Sequence, residues 1–368
     1  MTIKRRQFVG GMALAAGVAA CAGGESDGSS GSRASERFEW NMVTSWPPGL
    51  PGLGAGVERL VQSIEAASGG RLKIKIFAGG ELVPALECFD AVRNGTAQMG
   101  HDASYYHRGK VPATQYFTAA PFGLVAAEMD AWLYYGGGLE LWQELYEPLG
   151  LMVFPAGNTT CQTLGWFNKE LNTVDDLKGL KIRMPGLGGE VMQRAGATQV
   201  TLPASEIFTS LQTGAIDAAE WVGPYNDVSL GLNKAARYYY YPGFHEPGPA
   251  EQCMINLEAW NSLPEDLQAV VRVCCQAANL DIQAEYNWGN AMALQQLRND
   301  PDVEVREVPD EIFEALAGFA EEAAAEAAAS DPFSARVQES IREFQAVSGD
   351  NQRIGDLSYL NKRLRIGA

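Results

Sequence analysis

Two charged residues follow apolar, strand-like segments, and their side chains are suited to binding a charged ligand. Arg183 ends one such segment and precedes the turn sequence Pro185-Gly186. A guanidinium at this place can hold a carboxylate through two parallel hydrogen bonds. Open α/β sheets bind ligands outside the carboxyl ends of their strands, so the position predicts a binding residue as readily as a surface salt bridge.

Glu220 has the equivalent position in AIDAAEWVGPYND, where it precedes a Gly-Pro turn. Hard cations bind carboxylate, amide and backbone oxygens, so Glu220 can hold a cation beside an anion that Arg183 binds. The alternative is that Glu220 lies at the protein surface and pairs with a neighbouring lysine. Aromatic residues are frequent near these predicted strand ends and turns, and a subset of them can close over the apolar part of a ligand. They are Trp46, Tyr105, Tyr106, Trp166, Trp221, Tyr225 and the run Tyr238–Tyr241.

A catalytic constellation is not evident in the chain. It has three histidines, His101, His107 and His245, and none of the motifs H-E-x-x-H, G-x-S-x-G or P-loop. His101 and His107 are six residues apart, which is neither a helical pair nor a usual zinc spacing. The sequence therefore predicts a protein that is not an enzyme.

The elements that must position these residues alternate between strand and helix patterns. FEWNMVTSW and RLKIKIF alternate like strands, and between them lies a helical segment with Val57, Leu60, Val61 and Ile64 on one face. A second series of strand and helix signals begins near Leu151. The pattern predicts two α/β lobes, each with a largely parallel sheet between helices.

Long helices are predicted after the two lobes. Residues 264–297 contain one proline, at the start, and one glycine, Gly289, so they can form one helix of about 50 Å. We expect it to lie along both lobes. The predicted divisions are residues 38–155 plus 254–300 for lobe I with the connecting helix, 156–253 for lobe II and 301–368 for a helical C-terminal region.

The N-terminus carries an export signal at residues 1–21, with a twin-arginine pair at Arg5-Arg6. Val18-Ala19-Ala20-Cys21 is similar to a lipobox, in which Cys21 would be acylated; the alternative is a cleaved signal with an incidental cysteine. A Gly/Ser-rich segment follows, and residues 22–37 are predicted to be a flexible linker. Both predictions place the protein in the periplasm, either free or anchored to a membrane.

The overall charge argues against a nucleic-acid partner. The 368 residues have a formal net charge of −17 and a pI near 4.7, whereas binding of phosphates requires a clustered basic face. Five cysteines remain after Cys21, so we expect at least one free thiol, and most of them to be buried as small apolar residues.

The chain resembles the solute-binding proteins of tripartite ATP-independent periplasmic (TRAP) transporters, and within them the branch that binds 2-oxoacids such as pyruvate. The motifs that carry this resemblance are VTSWP at Val43–Pro47, ASYYH..GK at Ala103–Lys110, PFG at Pro121–Gly123, GLKIRMPGLGGEV from Gly179, LPASEIFTSLQTGAIDAAEWVGPYND from Leu202 and YYYYPGFHEPG from Tyr238. The resemblance implies two hinge-linked α/β lobes that close on a ligand, as in periplasmic binding proteins, with long C-terminal helices.

The resemblance also implies roles for individual residues. Arg183 matches the arginine that binds the substrate carboxylate. The positions that match the family's cation ligands are Gln162, Glu220, the carbonyl of Trp221, and Gln252, for which Glu246 and Glu251 are the alternatives. Asn158, Tyr105 and Tyr106 match positions that line the cleft. Sodium is the expected cation and calcium the alternative.

The function that follows is capture of a pyruvate-like 2-oxoacid and its delivery to the TRAP membrane permease. A lactate or C4-dicarboxylate binder of the same family is the first alternative, and a dicarboxylate would require a second basic group, for which Lys110 is the candidate by motif. An exported periplasmic enzyme is a distant alternative. The C-terminal helices either form a homodimer, with Leu294 and Leu297 at i, i+3 spacing, or pack on the lobes.

Overall fold

The structure is a computed structural model, and it describes residues 36–367. The predicted export signal, Cys21 and nearly all of the predicted linker lie outside the described residues. None of the described helices is long and apolar enough to cross a membrane.

Eleven strands form two sheets within the described residues. In chain order the strands are β1 (Phe38–Thr44), β2 (Leu72–Phe77), β3 (Met99–Asp102), β4 (Leu151–Asn158), β5 (Gly165–Phe167), β6 (Lys181–Arg183), β7 (Thr198–Val200), β8 (Ala218–Ala219), β9 (Tyr238–Tyr241), β10 (Ala250–Asn256) and β11 (Glu304–Glu307).

The α-helices cover these sheets. In chain order they are α1 (Leu53–Ala67), α2 (Cys88–Arg93), α3 (Gln115–Thr118), α4 (Ala126–Tyr135), α5 (Gly138–Tyr146), α6 (Gly186–Arg194), α7 (Ala204–Thr213), α8 (Pro224–Ser229), α9 (Leu257–Ser262), α10 (Glu265–Arg298), α11 (Asp310–Ser330), α12 (Pro332–Ile354) and α13 (Asp356–Arg365).

The first sheet, which we call lobe I with its helices, has the strand order β2-β1-β3-β10-β4. β1, β2 and β3 are parallel, as the alternation of strand and helix predicts, and α1 buries the predicted face of Val57, Leu60, Val61 and Ile64. β10 lies antiparallel between β3 and β4. This departure from a parallel sheet arises because β10 enters lobe I from the other lobe, without a helical crossover.

The second sheet, which we call lobe II with its helices, has the order β11-β9-β5-β8-β6-β7. β6 lies parallel to both β7 and β8, while β5 is antiparallel to its two neighbours. β4 extends to Asn158 and β10 begins at Ala250, so the chain crosses between the sheets a few residues from the predicted boundaries at 155 and 254.

The C-terminal region is divided between the lobes rather than being helical throughout. β11 adds a strand to the lobe II sheet, and the apolar side chains of Ile312 and Leu316 on α11 join the core of lobe II. Val337 and Ile341 on α12 join a core cluster of lobe I. The predicted long helix is confirmed as α10, which contacts α1 and β4 on one side and α8 and β11 on the other.

The cysteines behave as predicted from their spacing. Among the described residues Cys88, Cys161, Cys253, Cys274 and Cys275 are all free, and only Cys161 of these five is exposed.

Candidate ligand-binding site

Arg183 ends β6 and is completely buried. Its Nη1 forms an ion pair with the Glu220 carboxylate and donates a hydrogen bond of 3.0 Å to the Glu220 backbone carbonyl, while its Nε donates to the carbonyl of Leu202 at 3.2 Å. Nη2 is buried and has no hydrogen-bond partner among the described residues. One edge of the guanidinium is therefore fixed by lobe II and the other is available to a ligand.

Glu220 follows β8, and the pairing of β6 with β8 brings it to Arg183. The two strands are parallel, with Arg183 opposite Ala219, so their carboxyl ends meet at one edge of the sheet. Burial opposes the charge of Arg183, but Glu220 and more distant acidic groups outweigh this and raise the pKa of the guanidinium. The predicted proximity of the two strand-end residues is confirmed.

The segments that cross between the lobes add Gln162, His245 and Glu246 to this pair. The backbone amide of Gln162 donates to the carbonyl of Glu246 at 3.1 Å, and Gln162 Nε2 donates to Glu246 Oε2 at 2.8 Å. His245 Nε2 lies 3.2 Å from Glu220 Oε2. Glu220, His245 and Glu246 can place one ligand atom each within 4.8 Å of one another, an arrangement able to hold a metal ion.

Two buried carboxyl groups at this crossing, those of Glu246 and Glu251, are hard to ionise because their pKa values are raised. Burial, together with the charges of Glu220 and Glu251, raises the pKa of Glu246 well above its usual range. Burial also raises the pKa of Glu251, with a smaller effect of Asp102. Because low dielectric disfavours uncompensated negative charge, a cation bound here would stabilise the ionised carboxylates.

Gln252 does not join the cluster. Tyr146 Oη donates to its Oε1 at 2.8 Å, and its Nε2 donates to Asp102 Oδ1 at 2.5 Å, so both ends of the amide are engaged inside lobe I. Successive strand residues face opposite sides, and a β-bulge separates Glu251 from Gln252. Glu246, one of the two alternatives that the sequence left open, lies where a fourth cation ligand was expected.

Tyr105 and Tyr106 lie on a 3-10 turn of lobe I, with their rings edge to face at 4.8 Å. Burial raises the pKa of both phenols, and both lie close enough to Glu220 and Glu246 for the carboxylates to raise it further. Gly186 of lobe II approaches Tyr105 so closely that a Cβ there would lie 3.5 Å from the ring. The tyrosines therefore form the lobe I wall of the cluster.

Asn158 is buried at the end of β4 and bonds to nearby backbone. Its Nδ2 donates to the carbonyl of Gly248 at 3.2 Å, and its Oδ1 accepts from the amide of Thr160 at 2.8 Å. Thr160 has a positive φ of 66°, which the bond to Asn158 stabilises. Asn158 thus holds the crossing segments together, with one amide proton left for a further partner.

Trp221 links the cluster to both lobes. Its indole lies 5.1 Å from the Arg183 guanidinium and packs edge to face on Trp46 of lobe I at 6.3 Å. Its Nε1 donates to Asn226 Oδ1 at 3.3 Å. The indole therefore covers the arginine, and the residue is 4% exposed.

Several buried polar atoms of the cluster have no partner among the described residues. They are Gln162 Oε1, Arg183 Nη2, His245 Nδ1 and Glu251 Oε2. Buried polar groups in proteins are nearly always hydrogen-bonded, so a concentration of unpaired atoms in one place marks a ligand site. An unpaired guanidinium nitrogen next to unpaired oxygens fits an anion bound together with a cation.

A cavity of about 910 Å³ adjoins this cluster. Tyr105, Tyr106 and Arg108 of lobe I line one side, and Pro185, Gly186 and Glu190 line the other. Arg108 and Glu190 form an ion pair across it. The cavity meets the cluster at Tyr105 and Tyr106, while Arg183 and Glu220 lie buried behind them.

His101 and His107 both bond to other protein groups in the interior of lobe I. His101 Nδ1 accepts from Trp46 Nε1 at 2.8 Å, and its Nε2 lies 3.1 Å from the carbonyl of Ala156. Burial lowers the pKa of His101 to about 4, so the ring is neutral at pH 7. His107 Nε2 lies 2.8 Å from Asp102 Oδ2.

Two α/β lobes with a buried charged cluster between them are typical of solute-binding proteins. Residues 42–331 match the family model described as bacterial extracellular solute-binding protein, family 7. The chain belongs to this family.

Known members of the class resemble the chain over most of its length. A monocarboxylate 2-oxoacid-binding periplasmic protein from Nostoc sp. is 42% identical over 360 residues, or 98% of each chain. A TRAP solute-binding protein from Colwellia psychrerythraea, solved with calcium and pyruvate, is 40% identical, with a TM-score of 0.86 over 89% of this chain and 100% of that one. One from Pseudoalteromonas atlantica, solved with sodium and pyruvate, is also 40% identical, with a TM-score of 0.86 over 89% of this chain and 99% of that one.

Proposed function

We propose that this protein is the extracytoplasmic receptor of a TRAP transporter, which captures a pyruvate-like 2-oxoacid together with a cation and delivers it to the membrane permease. The observation that carries the proposal is the pair of unpaired buried atoms Arg183 Nη2 and Gln162 Oε1 in one cluster. A donor and an acceptor of this kind suit a carboxylate and a cation. The ligands of the Nostoc, Colwellia and Pseudoalteromonas proteins support the same chemistry.

Arg183 is proposed to bind the carboxylate of the solute. Glu220 occupies Nη1, so the free Nη2 is directed to the ligand. Tyr105, Tyr106 and Asn158 are proposed to border the solute on the side of lobe I. The solute is then enclosed by both lobes, which fits a receptor that releases its ligand when the lobes separate.

The cation is proposed to bind to Gln162 Oε1, Glu220, the carbonyl of Trp221 and Glu246, with Glu246 in the place that the sequence assigned to Gln252. These are oxygen ligands, as sodium and calcium prefer. The cation would be shared between the protein and the adjacent carboxylate and 2-oxo oxygens of the solute. This chelation explains why a 2-oxoacid would bind better than a simple fatty acid.

The charge on Glu246 decides between the two cations. With Glu251 protonated, and with Glu220, Glu246 and the solute ionised, the three negative charges exceed the single charge of Arg183 by two, which calcium balances. If Glu246 keeps its proton, the excess is one, which sodium balances. Burial of charge is tolerated only when the group is close to neutral, so each cation corresponds to one protonation state.

A dicarboxylate is disfavoured by the position of Lys110, the second basic group that the sequence offered. Its Nζ forms ion pairs with Asp90 and Glu87 at the surface, and half of its side chain is exposed. The buried cluster therefore offers one cationic side chain for one carboxylate.

The decisive experiment is isothermal titration of the mature protein with pyruvate, lactate and succinate, each in calcium, in sodium and in EDTA. We expect pyruvate to bind most tightly and to require a cation. Tighter binding of lactate would assign a 2-hydroxy acid to the same site. Binding of succinate without dependence on a cation would overturn the proposal.

We further propose a homodimer through the C-terminal helices. α13 has no buried residues, and Leu357, Leu360 and Leu364 form an exposed apolar stripe along it. Of the two α10 leucines that the sequence indicated, Leu297 is buried and Leu294 is half-buried. Trp288, also on α10, is 65% exposed. Light scattering should give twice the mass of the chain, and the monomer mass for a variant in which the three leucines are changed to Ser.

Location in the periplasm follows from the same proposal, and Cys21 is proposed to be the lipid anchor. Mass spectrometry of the protein from membranes should find an acylated Cys21 as the first residue. A soluble mature protein that lacks Cys21 would contradict the anchor but not the receptor function.

A further inference from the structure

The peptide bond between Trp221 and Val222 is held from one side by Asp227. Asp227 Oδ1 accepts a hydrogen bond from the Val222 amide at 3.3 Å, and Asp227 is completely buried. The peptide is trans, since the cis bond found among the described residues is Tyr241-Pro242. In a trans peptide the C=O and N–H groups point in opposite directions, so Asp227 directs the Trp221 carbonyl away from itself.

The next peptide is held close to Gln162. The amide of Thr163 donates to the carbonyl of Val222 at 3.2 Å, so Val222 lies beside the residue that follows Gln162. The carbonyl oxygen of Trp221, in contrast, accepts no hydrogen bond from residues 36–367. A buried carbonyl with no donor is suited to a cation ligand.

Asp227 is itself fixed by two further donors. Trp166 Nε1 and Tyr239 Oη each donate to Asp227 Oδ2 at 3.0 Å. These bonds set the rotation of the carboxylate, so that Oδ1 faces Val222. The orientation of the Trp221 carbonyl therefore depends on a hydrogen-bond network within lobe II, formed by Asp227, Trp166 and Tyr239.

We propose that Asp227 is a positioning residue for the cation, and that it acts by orienting the Trp221 carbonyl. Asp227 touches neither the cation nor the solute. Groups that orient metal ligands affect metal affinity strongly in other proteins. The inference rests on the proposed function, because it requires the Trp221 carbonyl to be a cation ligand.

The test is the calcium Kd at saturating pyruvate, measured by isothermal titration, beside the pyruvate Kd at saturating calcium. For Asp227→Ala we expect calcium binding to weaken about 10-fold, and the pyruvate Kd at saturating calcium to change less than twofold. Asp227→Asn keeps an acceptor for the Val222 amide, but its Nδ2 then faces the donor Trp166 Nε1, so the calcium Kd should lie between those of the wild type and Asp227→Ala. Should Asp227→Ala fail to fold, Asp227→Ser, whose hydroxyl is too short to reach that amide, takes its place.

Tyr239→Phe is the graded control, since it removes one of the two donors to Oδ2, while Trp166 Nε1 still donates to that oxygen and the bond to Val222 stays in place. It should lower the melting temperature and weaken calcium binding less than Asp227→Ala does. An Asp227→Ala protein with the calcium Kd of the wild type would overturn the inference, and so would an Asp227→Asn protein as weak as Asp227→Ala, because charge rather than orientation would then matter. A wild-type protein that binds pyruvate without calcium or sodium would overturn the proposed function as well.

Discussion

Two buried clusters in this protein contain nearly the same types of side chain but differ in how completely those side chains are paired. In lobe I, Asp102 bonds to His107 and Gln252, and Gln252 bonds in turn to Tyr146. None of these four side chains leaves a buried polar atom without a partner.

The cluster between the lobes also combines carboxylate, histidine and glutamine, in Glu220, His245, Glu246 and Gln162. Here Gln162 Oε1 and His245 Nδ1 have no partner within residues 36–367, and neither does Arg183 Nη2. The comparison teaches that residue types alone do not identify a binding site. Unpaired buried atoms do, because their desolvation is offset only when a ligand supplies the missing partner.

The largest expected effect comes from Arg183→Met, which removes the unpaired donor of the open cluster. A charge-assisted hydrogen bond contributes about 3 kcal/mol, so the pyruvate Kd should rise about 100-fold. Isothermal titration in calcium measures this change. Arg237→Met is the matched control, because Arg237 lies in the same lobe, pairs at the surface with Glu304 and does not line the cavity beside the cluster. An equal loss in both variants would contradict the role of Arg183.

His101 is a further buried side chain whose polar atoms are both paired, and its protonation changes the stability of the fold. The folded protein binds a proton at His101 only below about pH 4, whereas the unfolded chain binds one below about pH 6.5, so His101 destabilises the fold as pH falls between these values. The free energy of unfolding should therefore fall by about 2 kcal/mol more between pH 7 and pH 5 in the wild type than in His101→Gln.

Urea unfolding at the two pH values measures this difference. Glutamine can still accept from Trp46 and donate to Ala156, so the two proteins should be of similar stability at pH 7. Parallel pH profiles for the two proteins would show that the neutral state of His101 does not govern this part of the stability.

The two glutamines provide the most direct test of the comparison. Gln162→Leu should weaken cation-dependent pyruvate binding about 10-fold, because the proposed cation ligand Gln162 Oε1 is lost. Gln252→Leu removes the partners of Asp102 Oδ1 and Tyr146 Oη and should lower the free energy of unfolding by about 1–3 kcal/mol, with an unchanged pyruvate Kd. Titration calorimetry and urea unfolding of both variants distinguish binding from stability. Weaker pyruvate binding in Gln252→Leu would mean that the lobe I cluster also takes part in ligand binding.

The smallest effect is expected for Lys110→Met. Lys110 pairs with Asp90 and Glu87 at the surface, and exposed ion pairs contribute about 0–1 kcal/mol. The melting temperature and the affinities for pyruvate and succinate should remain near those of the wild type. A selective loss of succinate binding would show that Lys110 serves a second carboxylate after all.

Local patterns in the sequence predicted the parts of the fold that depend on neighbouring residues. Hydrophobic periodicity predicted α1 and α10, and the strand-turn pattern placed Arg183 and Glu220 at strand ends, where β6 and β8 bring them together. The division of the C-terminal region was not predicted, because β11 pairs with β9 from more than sixty residues away and its short segment carries no distinct strand signal.

The sequence by itself determined the class of the protein, the two lobes, the long helix and the charged pair at the strand ends. Only the tertiary structure decided that Glu246 rather than Gln252 faces the cluster, and that Asn158 bonds to the crossing backbone. These outcomes depend on the face of the strand on which a side chain falls after a β-bulge and on the partners that distant segments supply. Which buried atoms remain unpaired is a property of all these contacts together, and it is these atoms that identify the site.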